Sequence, residues 1–190
     1  MENEETPEMR ALLLKRIYPD AVDDNPPKMP EPRGKSIQLS VFVDADHAGN
    51  VVTRRSHTGI LVFANMAPIH WVSKRQNCVE SSTFGSEFVA LKTAAELIMG
   101  MRYKLKMFGV PVDGPARVMC DNQSVVKNGS FPESALRKKH CSIAYHIVRE
   151  SIAAERMLLY WESSNSNLAD LFTKVLPYDA RMRLIPGMLS

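Results

Sequence analysis

The sequence predicts an α/β fold, a five-stranded mixed sheet flanked by helices. Three β-rich runs follow one another through short links, which indicates an antiparallel three-stranded meander. Two further strands alternate with helical patterns later in the chain, and such units place helices on the faces of a sheet. The predicted order is β-β-β-α-β-α-α-β-α, and no internal repeat is present.

Composition favours one globular domain with a basic body. The 190 residues are 45% apolar, enough for a sizeable core, and no long uncharged apolar run predicts a membrane span. The three cysteines are widely spaced and the acidic amino terminus lacks the apolar segment of a signal peptide, so we expect an intracellular protein. Residues 1–31 hold eight acidic and four basic side chains, so the remainder is basic and compatible with a polyanionic partner.

The two ends of the chain are predicted to be tails. Residues 1–36 contain a short helix, Pro7–Ile17, and then a proline-rich stretch that favours an extended linker. The domain itself is expected over residues 37–178. Residues 179–190 are weakly patterned and are expected to form a C-terminal tail.

The domain begins with IQLSVFVDAD (37–46), a pattern typical of a central strand that ends in two carboxylates. Strands over 58–65 and 68–74 complete the meander. One of Ser81, Ser82 and Thr83 can cap a long helix, which Gly109 ends. The remaining predicted elements are a strand over 116–120, a helix over 122–128 stopped by Gly129, a helix over 140–154, a strand over 157–161 and a helix over 167–174.

Four carboxylates occupy the ends of these elements. Asp44 ends the first strand and Asp121 follows the fourth, while Glu87 and Asp170 lie in the first turns of helices. If strands one and four are neighbours, all four can meet at the edge where open sheets usually place their chemistry. Crowded carboxylates repel each other, and oxygen ligands suit Mg²⁺ or Mn²⁺. The alternative is that these residues are helix caps and solvated surface acids.

Seven segments, in order, closely resemble the ribonuclease H domain of Ty1/copia-type retrotransposon polyproteins. They are FVDADHAG, RRSHTGILVF, PIHWVSKRQ, SSTFGSEFVALK, CDNQS, RKKHCSIAYHIVRE and NLADLFTKVLP, and the resemblance covers roughly residues 26–180. It implies an RNase H-like fold and hydrolysis of the RNA strand of RNA–DNA hybrids. It also implies a partner, the reverse transcriptase polymerase domain of the same element, and a location in the cytoplasm, a virus-like particle or the nucleus.

The resemblance further implies that Asp44, Glu87, Asp121 and Asp170 form the catalytic set and bind two Mg²⁺ ions, with Mn²⁺ as an alternative and no small-molecule cofactor. Asp46 is a competing candidate for the first position. Many relatives carry an acid where this chain has Gly85, but Glu87 is retained.

Many ribonucleases H also carry a histidine before the final acid, and the loop 163–167 has none. His140 and His146 are the candidates for that role, with helix capping or packing as the alternative.

Basic and polar groups near the predicted site can follow a phosphate backbone or meet the minor groove. Capping of the short helix is an equal alternative for Asn122, and core packing is the alternative to a nucleic-acid contact for Trp71. The predicted nucleic-acid-binding residues are Arg54, Arg55, Lys74, Arg75, Asn122, Gln123, Lys138 and Lys139.

Two other functions remain open from the sequence. One is an inactive remnant that only binds nucleic acid or tethers a polymerase domain, although all four acids are present. The other is an integrase or transposase on the same fold, which would cut DNA instead of the RNA of a hybrid.

Overall fold

A computed structural model of the chain describes residues 6–134 and 142–189. Its centre is a five-stranded sheet in the order β3-β2-β1-β4-β5, which confirms the predicted mixed sheet. Strands β1, β2 and β3 form the antiparallel meander, and β4 and β5 run parallel to β1. The strands are β1 Leu39–Asp46, β2 His57–Ala64, β3 Ala67–Arg75, β4 Ala116–Cys120 and β5 Met157–Trp161.

Helices cover both faces of this sheet. Within the described residues, no helix combines the length and apolar character needed to cross a membrane. The helices are α1 Pro7–Ile17, α2 Thr83–Met107, α3 Gln123–Ser130, α4 Ser142–Ala153, α5 Asp170–Thr173 and α6 Tyr178–Leu189.

Alternating side chains of the central strand supply the core. Val41 and Val43 of β1 are fully buried in the main cluster, where α2 and α4 pack on the sheet. Phe42, between them, turns to the opposite face and packs in a smaller cluster with Leu168 and Leu184. Because successive strand residues point to opposite faces, a strand covered on both sides needs apolar residues throughout. The acids at the end of β1 therefore emerge from the middle of the fold.

The amino-terminal segment contains the predicted helix Pro7–Ile17 as α1, and this part of the predicted tail packs on the domain. Leu14 of α1 is fully buried in the main core, and α1 packs against α4. Further along, the carboxylate of Asp23 lies 2.8 Å from the guanidinium of Arg102 and 2.8 Å from the ammonium of Lys106. Residues 6–24 thus pack on the domain through a buried leucine and a charge network. The proline-rich residues 25–36 that follow are exposed except for Pro26 and form no helix or strand, as expected of an extended segment.

Three smaller expectations also differ. Gly129 lies inside α3, where a β-carbon would approach Leu159 Cδ1 to 2.8 Å, so it permits packing on β5 instead of ending the helix. The final predicted helix is only the short α5, which begins at Asp170. The expected C-terminal tail forms α6, whose Leu184 is buried in the smaller cluster.

Candidate active site

Asp44 and Asp121 lie side by side because β1 and β4 are parallel neighbours. Val43 is paired with Cys120 in the last step of the ladder between β1 and β4, so Asp44 and Asp121 follow it at the same edge. The carboxyl ends of parallel strands are where α/β sheets usually place their chemistry. The predicted adjacency of these two strands is confirmed.

Glu87 reaches the same edge from the first turns of α2, which Ser82 caps. The side chain of Gln76, just after β3, holds this part of the helix against the sheet. Its Nε2 donates to the carbonyl of Ser86 at 2.9 Å and to the hydroxyl of Thr58 at 3.0 Å. The position of Glu87 is therefore fixed by a cap and by a buried amide bridge between β2 and α2.

Asp170 reaches the edge from α5, which packs directly on β2 and β1. Gly59 of β2 allows this approach, because a β-carbon there would lie 2.6 Å from the Ala169 carbonyl oxygen and 2.6 Å from Thr173 Cγ2. Gly59 is also the residue of β2 that is paired with Asp44. Helix α5 thus approaches the sheet closely beside Asp44, and this approach brings Asp170 next to Asp44.

The four carboxylates form one cluster. Asp44, Asp121 and Asp170 each offer an oxygen within 4.8 Å of the others, and Asp121 also belongs to a second such group with Glu87 and the thiol of Cys120. Asp44, Glu87 and Asp170 are 2%, 3% and 6% exposed, and Asp121 is half-buried. This burial does not fit the alternative of solvated surface acids, since buried carboxylates are costly without a compensating partner.

Burial and mutual repulsion raise the pKa values in the cluster. Burial, followed by the charges of Asp44 and Asp121, raises the pKa of Glu87 to about 9. Burial and the charge of Asp44 also raise the pKa of Asp170, against the opposing effect of Lys174. Burial likewise raises the pKa of Asp121. Without a cation, Glu87 therefore keeps its proton at neutral pH.

An ammonium and a hydroxyl contact two of the acids. The ammonium of Lys174 lies 3.1 Å from Asp170 Oδ1 and 3.7 Å from Asp44 Oδ2. The hydroxyl of Thr173 donates a hydrogen bond to the same Asp44 oxygen. Thr173 is the last residue of α5 and Lys174 follows it, so this short helix and the residue after it supply an acid, a donor and a cation to the cluster.

The donor set fits a hard divalent cation. Glu87 Oε2 is buried and has no hydrogen-bond partner among the described residues, so one possible ligand atom is unsatisfied. Four carboxylates offer only oxygen, which Mg²⁺ and Mn²⁺ prefer. The Cys120 thiol lies within 4.8 Å of Glu87 and Asp121, but burial raises its pKa and it packs in the main core.

Solved structures of other proteins share this fold. No protein-family model matches the chain. The N-terminal RNase H domain of Rv2228c from Mycobacterium tuberculosis superposes with a TM-score of 0.56 at 14% identity, over 73% of this chain and 91% of that one. LC11-RNase H1, solved in complex with an RNA/DNA hybrid, gives 0.55 at 16% identity, over 80% of this chain and 100% of that one.

The sequence comparison is more specific. Over 139 residues, 73% of this chain, it is 33% identical to the retrovirus-related Pol polyprotein from transposon TNT 1-94 of Nicotiana tabacum. The chain is homologous to Ty1/copia-type Pol polyproteins and has the ribonuclease H fold. The resemblance inferred from the seven segments is confirmed. This RNase H-like domain spans 10% of the length of that polyprotein.

Four of the predicted nucleic-acid-binding residues of the RNase H-like domain lie near the acid edge. Lys74 and Arg75 are exposed and are paired, through β2, with the last two residues of β1. Exposed Arg54 and half-buried Arg55 lie in the loop between β1 and β2, which starts next to the acids. Trp71 on β3 is 62% exposed, so the core-packing alternative for it is wrong.

Two of the other predicted nucleic-acid-binding residues, Asn122 and Gln123, lie at the start of α3. Asn122 caps α3, its side chain accepting from the N–H of Val125, as the capping alternative expected. Gln123 is exposed at the start of α3. Lys138 and Lys139 lie outside the described residues, as does His140.

Asp46 and His146 are placed by neighbours outside the acid cluster. A β-carbon at Gly49 would meet the Asp46 carboxylate at 1.8 Å, so this carboxylate folds over the loop after β1. The Nδ1 atom of His146 lies 2.7 Å from the hydroxyl of Tyr18, next to α1. The packing alternative for His146 therefore agrees with the contact that the structure shows.

Several residues that build the site were missed from the sequence. The Ser164 hydroxyl donates to Asp121 Oδ2 at 2.8 Å, and the buried Asn167 amide donates to the Val43 carbonyl at 2.9 Å. Lys174 follows Asp170 at the i+4 spacing in the segment NLADLFTKVLP, which was the available signal for an ion pair. The contacts of Ser164 and Asn167 join distant parts of the chain, and no local pattern indicates them.

Proposed function

We propose that this chain is a divalent-metal-dependent endoribonuclease that hydrolyses the RNA strand of RNA–DNA hybrids. The observation that carries the proposal is the convergence of four carboxylates, three of them almost fully buried, at the carboxyl edge of β1 and β4. Such a cluster is unfavourable in its fully ionised form unless a cation compensates the charge. The homology to Pol polyproteins and the ribonuclease H fold support the same reaction.

The carboxylates would hold Mg²⁺, with Mn²⁺ as an alternative, through two overlapping groups. Asp44, Asp121 and Asp170 form one group, and Glu87 and Asp121 belong to the other together with the thiol of Cys120, so the four carboxylates are the residues that would hold the ions. The chemistry that such ions would supply when bound is activation of a water and stabilisation of the leaving 3′-oxygen of a phosphodiester.

The neighbouring side chains keep these ligands oriented. The hydroxyl of Ser164 fixes Asp121 and that of Thr173 fixes Asp44. The Gln76 bridge holds the first turns of α2, and with them Glu87, against the sheet. A ligand that is already oriented loses less freedom when a cation binds, which favours a well-formed metal site.

The substrate proposal follows from charge and position. Lys74, Arg75 and Arg54 are exposed beside the acid edge. Exposed basic side chains suit contacts to phosphates, which position a nucleic acid without reading its sequence. Exposed Trp71 lies on the same edge strand and offers an aromatic surface. Gln123 follows Asp121 closely enough to meet the minor groove, where 2′-hydroxyls identify the RNA strand.

We further propose that the domain acts as the ribonuclease H portion of a reverse transcriptase. The TNT 1-94 relative is a Pol polyprotein, and the chain matches only a small part of it. The partner would therefore be the polymerase domain of the same element.

The test is cleavage of a hybrid with a labelled RNA strand, with and without Mg²⁺. We expect cleavage that EDTA abolishes and that Asp44→Asn or Asp121→Asn reduces at least about 100-fold, since each removes a charged ligand. Asp46→Asn is the matched control on the same strand and should keep most activity, because its carboxylate folds over Gly49.

The remaining outcomes separate the alternatives. Full activity in EDTA contradicts the metal mechanism. Tight hybrid binding without cleavage in either Mg²⁺ or Mn²⁺ favours the inactive remnant. Cleavage of the DNA strand favours an integrase-like activity.

A further inference from the structure

We propose that Lys174 is a tethered counter-cation of the acid cluster, which pairs with Asp44 and Asp170 and gives way when a divalent cation binds there. The inference rests on the proposed function, because it requires the cluster to be a metal site. It assigns to this lysine control over metal affinity, a role distinct from that of the four ligands.

The first support is the position of the ammonium. It lies 3.1 Å from Asp170 Oδ1 and 3.7 Å from Asp44 Oδ2, so one positive charge is shared by acids from a helix and a strand. Asp44 and Asp170 are almost fully buried and belong to the same group of possible ligands. Lys174 therefore contacts two of the three carboxylates that a cation in this group would use.

The second support is that a divalent ion and this ammonium compete for the same oxygens. Mg²⁺ binds oxygen at roughly 2.1 Å, so an ion on Asp44 and Asp170 would lie within a few ångströms of the lysine nitrogen. Like charges that close repel strongly in a partly buried site. Binding of the ion must accordingly displace the ammonium or be weakened by it.

The third support is that Lys174 is free to move. Its backbone is extended, with φ −144° and ψ 158°, because α5 ends at Thr173. Its side chain is 39% exposed, and the next residue, Val175, is 99% exposed. The ammonium can therefore move into solvent without disturbing the core.

The chain offers a matched control. Lys92 and Glu96 on α2 also form an i,i+4 pair at 3.1 Å, and the Lys92 side chain is 33% exposed. This pair resembles the pair of Lys174 and Asp170 in spacing, distance and exposure of the lysine. It has no part in the acid cluster, so it reports the effect of losing an ordinary surface ion pair.

The experiment is calorimetric titration of the EDTA-treated and dialysed chain with MgCl₂ and MnCl₂. We expect Lys174→Met to bind either ion at least about fivefold more tightly than the unaltered chain, the effect of removing one modest ion pair. Lys174→Arg keeps the charge and should stay within about twofold of the unaltered chain, as should Lys92→Met. In EDTA, Lys174→Met should also melt at a lower temperature than Lys92→Met.

Two results would overturn the inference. Unchanged metal affinity in Lys174→Met shows that the ammonium does not compete, and weaker binding shows that it supports the metal. Asp44→Asn in the same titration tests the proposed function separately. If Asp44→Asn binds Mg²⁺ as the unaltered chain does, the metal site itself is wrong. If Asp44→Asn loses binding while Lys174→Met changes nothing, only the role of the lysine fails.

Discussion

Replacing Glu87 by glutamine should make the chain more stable at neutral pH when no divalent ion is present. Burial and the charges of Asp44 and Asp121 raise the pKa of Glu87 from 4.5 to about 9. The folded chain therefore keeps a proton on Glu87 that the unfolded chain releases. Stability must then fall as pH rises from about 4.5 to about 9, because the unfolded state binds fewer protons across that window.

The size of the effect follows from the same shift. Each pH unit within the window costs about 1.36 kcal/mol, so the free energy of unfolding falls by about 3 kcal/mol between pH 4.5 and pH 7 because of Glu87. Glu87 is only 3% exposed, so solvent screening gives little relief. Glutamine is neutral in both states and resembles the protonated acid, so the variant loses this pH dependence.

Urea denaturation in EDTA at pH 5 and at pH 7 measures the difference. The free energy of unfolding of Glu87→Gln relative to the unaltered chain should rise by about 2 to 3 kcal/mol between the two pH values. Glu96→Gln is the control, since Glu96 is half exposed on the same helix. If Glu87→Gln and the unaltered chain show parallel pH profiles, the buried acid is not protonated and the reasoning fails.

Two further substitutions test one support of the site and the docking of the amino-terminal segment. Gly59→Ala should destabilise the fold by about 2 kcal/mol and weaken Mg²⁺ binding, because the added β-carbon would push against Thr173 and displace α5. Urea denaturation measures the first effect and metal titration the second. Asp23→Ala should cost about 3 kcal/mol in urea denaturation, since it leaves the buried guanidinium of Arg102 without its carboxylate. Asp24→Ala is its control: this side chain is 68% exposed, so a change of less than about 0.5 kcal/mol is expected.

The sheet and the position of the acids were predictable because their signals are local. The apolar residues of the run 37–46 predict a strand, and the position of its two acids at the strand end marks them as candidates for the site. Short links indicate antiparallel neighbours, and parallel β4 follows from the alternation with helices. A site that depends on strand ends and helix starts can therefore be outlined from sequence periodicity.

The supports of the site were harder to predict because they depend on contacts between distant residues. Gly59 reads as an ordinary strand residue, and only the arrival of α5 shows why a side chain is excluded there. The residues before the proline-rich stretch likewise belong to the predicted tail, yet Leu14 and Asp23 hold them on α4 and α2. Local composition cannot reveal a binding surface that other elements create.

The acid cluster depends both on local sequence signals and on contacts between distant residues. Four carboxylates at one sheet edge would repel each other, and two local features reduce that repulsion: the raised pKa keeps a proton on Glu87, and the ammonium of Lys174 offsets the charge of Asp44 and Asp170. A divalent ion would replace both, since it favours the ionised carboxylates and repels the ammonium. The same residues can therefore account for a stable fold without metal and for a site whose metal affinity is set by a proton and a lysine.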